Sequence, residues 1–195
     1  SNNPDAEFSR SNFDVRHRLS VSFAYELPYG RNQGDTGGLA SVFGDWQLAG
    51  VLSMQSGSPF TVALLPEIDN SNTGRAALGF GANDRPNLVD STAAENPSPD
   101  GWFNTDAFAF PAFGTFGDSP RNGFDGPGFA NVNLALLKRV GLSESTDLQL
   151  RLEAFNLFNR TNFNLPDAFL GSPTFGQILS AQPARRLQLG IKLLF

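Results

Sequence analysis

The stretch Arg186-Leu187-Gln188-Leu189-Gly190-Ile191-Lys192-Leu193-Leu194-Phe195 decides how the chain is read. Counted back in twos from Phe195, one set is Phe195, Leu193, Ile191, Leu189 and Leu187, all apolar. The alternate set, Leu194, Lys192, Gly190, Gln188 and Arg186, is mostly polar. A period of two places the sets on opposite faces of a β-strand. The last residues of water-soluble domains are usually loose and polar, and this run instead finishes on an aromatic residue. The Phe195 face is therefore expected to meet lipid, and the Lys192 face the wet lumen of a barrel.

The same alternation recurs upstream. Leu19, Val21, Phe23 and Tyr25 share one face of a segment from Arg18 to Glu26. Trp46, Leu48, Gly50, Leu52 and Met54 share a face of the next, where Trp46 fits an interfacial aromatic belt. Val132, Leu134 and Leu136 follow, and then Leu148, Leu150, Leu152 and Ala154. Strands are thus expected near residues 18–26, 46–56, 131–139, 147–157 and 186–195. A short turn is expected at Val140–Thr146, and a short helix at Leu39–Phe43 in the glycine-rich connection before Trp46. The stretches 58–130 and 156–185 lack a period, and long loops on one side with short turns on the other are the habit of membrane barrels.

The opposite faces carry Arg18, Glu26, Arg139, Arg151, Glu153, Arg186 and Lys192. A closed apolar core could not hold them, but water could. Periodicity alone leaves two architectures: a soluble sheet with one wet face, or a membrane barrel wall with a wet lumen. The loop asymmetry, the aromatic belt and the aromatic terminus favour the wall. The expected class is all-β: an antiparallel transmembrane β-barrel segment with long extracellular loops. Five strands are too few for a single-chain barrel, so further strands are expected ahead of Ser1.

Composition narrows the functions. A net charge of −5 gives nucleic acid no electrostatic foothold. The chain has no cysteine and one histidine, His17, which removes thiolate metal sites and makes a Ser/His/Asp triad a poor fit. No apolar run is long enough for a transmembrane helix, a test that β-strands evade.

The ordered blocks along the chain then carry a resemblance. They are Phe13-Asp14-Val15-Arg16-His17-Arg18-Leu19, Tyr25-Glu26-Leu27-Pro28-Tyr29-Gly30, Gly44-Asp45-Trp46-Gln47-Leu48-Ala49-Gly50 and Gln55-Ser56-Gly57-Ser58-Pro59-Phe60. Arg85-Pro86-Asn87, Trp102 to Phe108, Gly117 to Gly128 and Glu153 to Phe163 follow in order, ahead of the terminal Phe195. The chain resembles the C-terminal end of a TonB-dependent outer-membrane receptor of the Oar-like subgroup, whose members carry a carboxypeptidase-regulatory-like domain. Thr105 departs from the proline expected there. The resemblance implies a barrel of about twenty-two strands, a plug and TonB contact supplied by an absent N-terminal region, and energy-driven uptake of a ligand. It also implies that the barrel-assembly machinery reads the final strand, through Phe195, Leu193, Ile191 and Leu189. Outer-membrane lipid and lipopolysaccharide would be the surrounding partners.

The residues offer little chemistry beyond binding, and no enzyme, cofactor or metal role is expected. Asp69, Asp84, Asp90, Asp100, Asp106, Asp118 and Asp125 match no calcium-loop spacing and suit turns. Arg151 and Glu153 share the inward face and could pair with Arg186 or Lys192. Trp102, Phe103, Phe108 and Arg121 are the candidate ligand contacts, with packing of the loop onto itself as the competing role for the rings. Three functions stay open: a ligand-uptake receptor, an adhesive or structural surface barrel, and a soluble β-sandwich binding module.

Overall fold

The computed structural model describes residues 4–28, 44–74, 83–143 and 145–195. The helix expected at Leu39–Phe43 lies outside them. One helical turn, α1 (Pro4–Glu7), precedes eleven strands among the described residues. These are β1 (Arg18–Glu26), β2 (Trp46–Gln55), β3 (Pro59–Phe60), β4 (Ala63–Leu64), β5 (Asn87–Leu88), β6 (Phe108–Ala109), β7 (Phe124–Asp125), β8 (Phe129–Ser143), β9 (Thr146–Phe155), β10 (Phe169–Leu170) and β11 (Arg186–Leu194). No helix among the described residues is long and apolar enough to cross a membrane. The chain divides into two compact units.

The first comprises residues 17–55, 129–161 and 183–195. It is one antiparallel sheet in the order β1-β2-β8-β9-β11. Directly opposed residues share a face, so register tests the alternation. Phe23 opposes Gly50, which opposes Leu134, which opposes Ala154, which opposes Leu187. One row further, Tyr25, Leu48, Leu136, Leu152 and Leu189 line up in the same way. The five apolar sets thus form one continuous face. It is a bare face: Val21, Phe23, Leu152 and Leu189 are 45, 47, 44 and 81 % exposed. Such an apolar expanse is far beyond what water-soluble monomers leave open. The long strands form a single sheet, so the sandwich arrangement is not the one adopted.

Glycine has a local reason at one point of this face. A Cβ at Gly50 would lie 2.6 Å from Cε1 of Phe23, so the missing side chain makes room for the ring across the pair.

β8 and β9 run further than expected. Val140 pairs with Leu148, Gly141 with Asp147 and, after a register shift, Ser143 with Thr146. The expected turn at Val140–Thr146 is therefore mostly strand, because Val140 and Leu142 continue the apolar alternation. Lys138 interrupts it on the apolar side. Its ammonium donates to the Gly44 carbonyl and lies 5.5 Å from the Trp46 ring centre, which accommodates the charge.

On the polar face Arg151 and Glu153 pair with each other at 2.5 Å. Among the described residues Glu153 does not make the expected bridge to Arg186 or Lys192, because register puts Gln188 opposite Glu153 and Gly190 opposite Arg151. Arg186 lies over the Phe155 ring instead.

The second unit comprises residues 1–16, 56–128 and 162–182. The stretch expected to be irregular is folded. Two-residue ladders join β3 to β7, β5 to β6 and β10 to β4.

Candidate functional site: the loop unit and the terminal strand

Scattered phenylalanines give the loop unit a core. Phe60, Val62, Phe103, Ala107 and Phe108 are buried together, flanked by Trp102, Phe124 and Phe175. Phe103 meets Phe108 and Phe175 edge-on, with ring centres 5.7 and 5.2 Å apart, and Phe108 meets Phe124 edge-on at 5.4 Å. These are favourable aromatic geometries. Phe103 and Phe108, candidates for ligand contact in the sequence, therefore have their surfaces taken up by other rings. Trp102 sits at the edge of this core and donates Nε1–H to the Asp125 carbonyl at 3.1 Å. Arg121 is exposed, with its guanidinium 3.5 Å from the Glu7 carbonyl oxygen.

Polar side chains fasten the loops to one another. Asn122 is buried in the left-handed conformation, φ 49°. Its backbone N–H donates to the Thr61 hydroxyl at 2.8 Å, and its amide donates to the Arg10 carbonyl at 2.7 Å and to Asn12 Oδ1 at 2.6 Å. Arg10 returns a hydrogen bond to the Asn122 carbonyl at 3.1 Å and pairs with Asp125 at 2.9 Å. Glu7 pairs with Arg85 at 3.0 Å. The segment before β1 is thus clamped onto the loops after β2.

The aspartates act as turn residues. Asp69 accepts from the Thr73 and Gly74 N–H groups, and buried Asp84 accepts from Ser71 through both its N–H and its hydroxyl. Asp167 accepts from the Ser172 hydroxyl at 2.5 Å, the Thr174 hydroxyl at 2.6 Å and the Phe169 N–H at 3.0 Å. Burial pushes its carboxyl pKa up, but these three bonds outweigh it and hold the group below the ordinary aspartate value. Among the described residues no cluster of three His, Asp or Glu side chains suits a metal ion.

In the sheet unit, Leu189, Ile191, Leu193 and Phe195 are 81, 77, 51 and 98 % exposed along one face of β11. The pairing of β11 with β9 ends at Leu194 opposite Asp147, which leaves Phe195 beyond the ladder. A polar hollow on the other side of the sheet is lined by Glu26, Asp45, Gln47, Arg139 and Gln149. The organising asparagines Asn122 and Asn156 escaped the sequence reading. The Asn122-Gly123 pair, a turn signal, was the clue to the first.

A family model described as an outer membrane beta barrel domain matches residues 1–188. No curated protein matches the chain, and no solved structure does.

Proposed function

This chain belongs to the outer membrane beta barrel domain family, and we propose that it is part of a TonB-dependent receptor of the Oar-like kind. Its location is the outer membrane, and its long strands are antiparallel barrel wall. In the proposed role the loop unit binds a ligand outside the cell, and the polar face of the sheet lines the path inward. A plug and a TonB-contacting segment would come from sequence ahead of Ser1. The reading assigns no catalysis, metal or cofactor to this chain.

The observation that carries the proposal is the difference in kind between the described connections. β8 and β9 close through a hairpin paired to Ser143 and Thr146. The connections 56–128 and 162–182 fold into a unit with its own aromatic core. A braced surface on the outer side of a wall is what capture of a ligand needs. The motif blocks from Phe13 to Phe163 supply the resemblance to uptake receptors.

The test is association of the full-length protein with the periplasmic domain of TonB. Co-purification that disappears when the N-terminal contact segment is deleted is the expected result. A full-length protein that neither binds TonB nor carries a plug would make this an adhesive or structural barrel. That second reading draws on the same packed loop core, since a rigid outer surface also serves adhesion.

A further inference from the structure

Residues 86–120 contain five acidic residues and no lysine, arginine or histidine. They also expose apolar side chains that the aromatic core does not use. Three backbone ribbons bring these features together. Asn87 and Leu88 pair with Ala109 and Phe108, and the Val89 N–H donates to the Ala107 carbonyl at 2.8 Å. On the other flank Asp118 accepts from the Leu88 N–H at 2.8 Å, and the Ser119 N–H donates to the Pro86 carbonyl at 3.0 Å. Val89, Phe110 and Phe116 on these ribbons are 60, 51 and 50 % exposed. Asp90, Asp106 and Asp118, in or beside the same ribbons, are exposed residues.

The turn between Phe110 and Phe116 is held in place. The Asn70 amide donates to the Ala112 and Thr115 carbonyls at 3.2 and 3.0 Å, and the Asn70 carbonyl accepts from the Gly114 N–H at 2.7 Å. Gly114 takes the left-handed φ of 80° that the turn requires. Phe113, 79 % exposed, is thereby presented on a turn braced from residue 70. A pre-positioned ring binds at low entropic cost.

We propose that this carboxylate-rimmed apolar surface, centred on the Phe110–Phe116 turn, binds a cationic amphipathic peptide. The rings would take its apolar side chains, and Asp90, Asp106 and Asp118 its ammonium or guanidinium groups. Charge decides the occupant. Outer-membrane lipopolysaccharide and acidic peptides are anionic and meet repulsion here, whereas a basic amphipathic chain is attracted by both parts of the surface. The inference rests on the reading that the loop unit faces the medium, and names the class of ligand it takes.

The probe is a fluorescein-labelled octapeptide of alternating Lys and Leu, titrated onto the full-length protein in proteoliposomes, with a Glu/Leu peptide as its control. The Lys/Leu peptide is expected to bind and to weaken as salt rises. Phe113→Ala should weaken it about tenfold, and the triple change Asp90→Asn, Asp106→Asn, Asp118→Asn should flatten the salt dependence. Equal binding of the two peptides, or binding untouched by both variants, overturns the proposal. So does quenching of a probe at residue 113 by spin-labelled lipid, which would put the turn in the membrane. This chain has no cysteine, so Phe113→Cys, with the unsubstituted full-length protein as the labelling control, also reports sidedness. If an impermeant maleimide fails to label it in intact cells while the purified protein still binds the basic peptide, the outward-facing reading fails and the binding surface stands.

Discussion

The side-chain oxygen of Asn133 accepts the backbone N–H of Asn156 at 3.0 Å, fastening the residue after β9 to its neighbour β8. Asn156 is buried, with φ 53°. Its own oxygen accepts from the Arg160 N–H at 3.0 Å, and its amide donates to the Arg160 carbonyl at 2.9 Å. Two requirements meet here: a left-handed backbone and a side chain that closes the turn. Asn156→Gly keeps the first and loses the second, and should cost about 1–3 kcal/mol of stability. Asn156→Ala loses both and should cost roughly 1 kcal/mol more. Urea unfolding in detergent micelles measures the two, and equal losses would remove the backbone argument.

The wall was legible in the sequence because its physics is local. Each side chain from Leu187 to Phe195 takes its face from its own position parity, and register then aligned those faces across five strands. The loop unit was not legible, because its bonds join residues remote in sequence. Asn122 reaches Arg10 and Thr61, and Phe60 meets Phe103 without any period to announce it. The role of the rings was decided by tertiary packing: Phe103 and Phe108 went inside, while Phe110 and Phe113 stayed out. The salt bridge on the wet face was misjudged for a related reason. Charge type suggested Lys192 or Arg186, but register set the neighbours of Glu153.

The two faces of β11 give a test of sidedness. Leu189→Arg places a charge on the apolar face and should destabilise the folded barrel by about 2–4 kcal/mol. Gln188→Arg, one residue away on the polar face, should change stability by less than about 1 kcal/mol. Heat-shift electrophoresis of outer-membrane fractions reads both. Equal tolerance of the two substitutions would contradict a lipid-facing Leu189.

The loop unit should loosen in acid. The folded pKa of Asp167 is depressed below the ordinary aspartate value, because the Ser172, Thr174 and Phe169 bonds outweigh desolvation. A depressed carboxylate contributes stability that is fully present above the unfolded pKa of about 3.9 and is lost as pH falls through the lower folded value. Hydrogen-exchange protection factors at residues 167–177 should therefore be unchanged from pH 7 to 5 and fall below about pH 4. Asp167→Asn should speed exchange at pH 7 and remove the acid step. An acid step of full size in that variant would assign it to another group.

Among the described glycines, Gly57 makes the tightest backbone approach in the loop unit. A Cβ built there collides with the Gly126 carbonyl oxygen, and the Gly126 N–H is committed to the Ser58 carbonyl at 2.9 Å. Backbone cannot yield as a side-chain end can. Gly57→Ala should cost about 1–3 kcal/mol, confined to the β3–β7 ladder. Limited proteolysis should cut residues 56–128 faster in this variant while the sheet keeps its heat shift. Parallel loss of both would mean that the two units unfold together.

Phe195 separates stability from recognition. The pairing of β11 stops at Leu194, and Phe195 is 98 % exposed, so its ring contributes little to the folded sheet. If the barrel-assembly machinery reads this residue, as the resemblance implies, its deletion should lower the folded protein in the outer membrane severalfold in cells. Refolding of the same variant from urea into detergent should match the parent, because no strand pair is lost. Phe195→Tyr should restore most assembly, since an aromatic ring remains at the end of the apolar face. Equal losses in cells and in detergent would assign Phe195 a structural role, and normal assembly in cells would remove it from recognition.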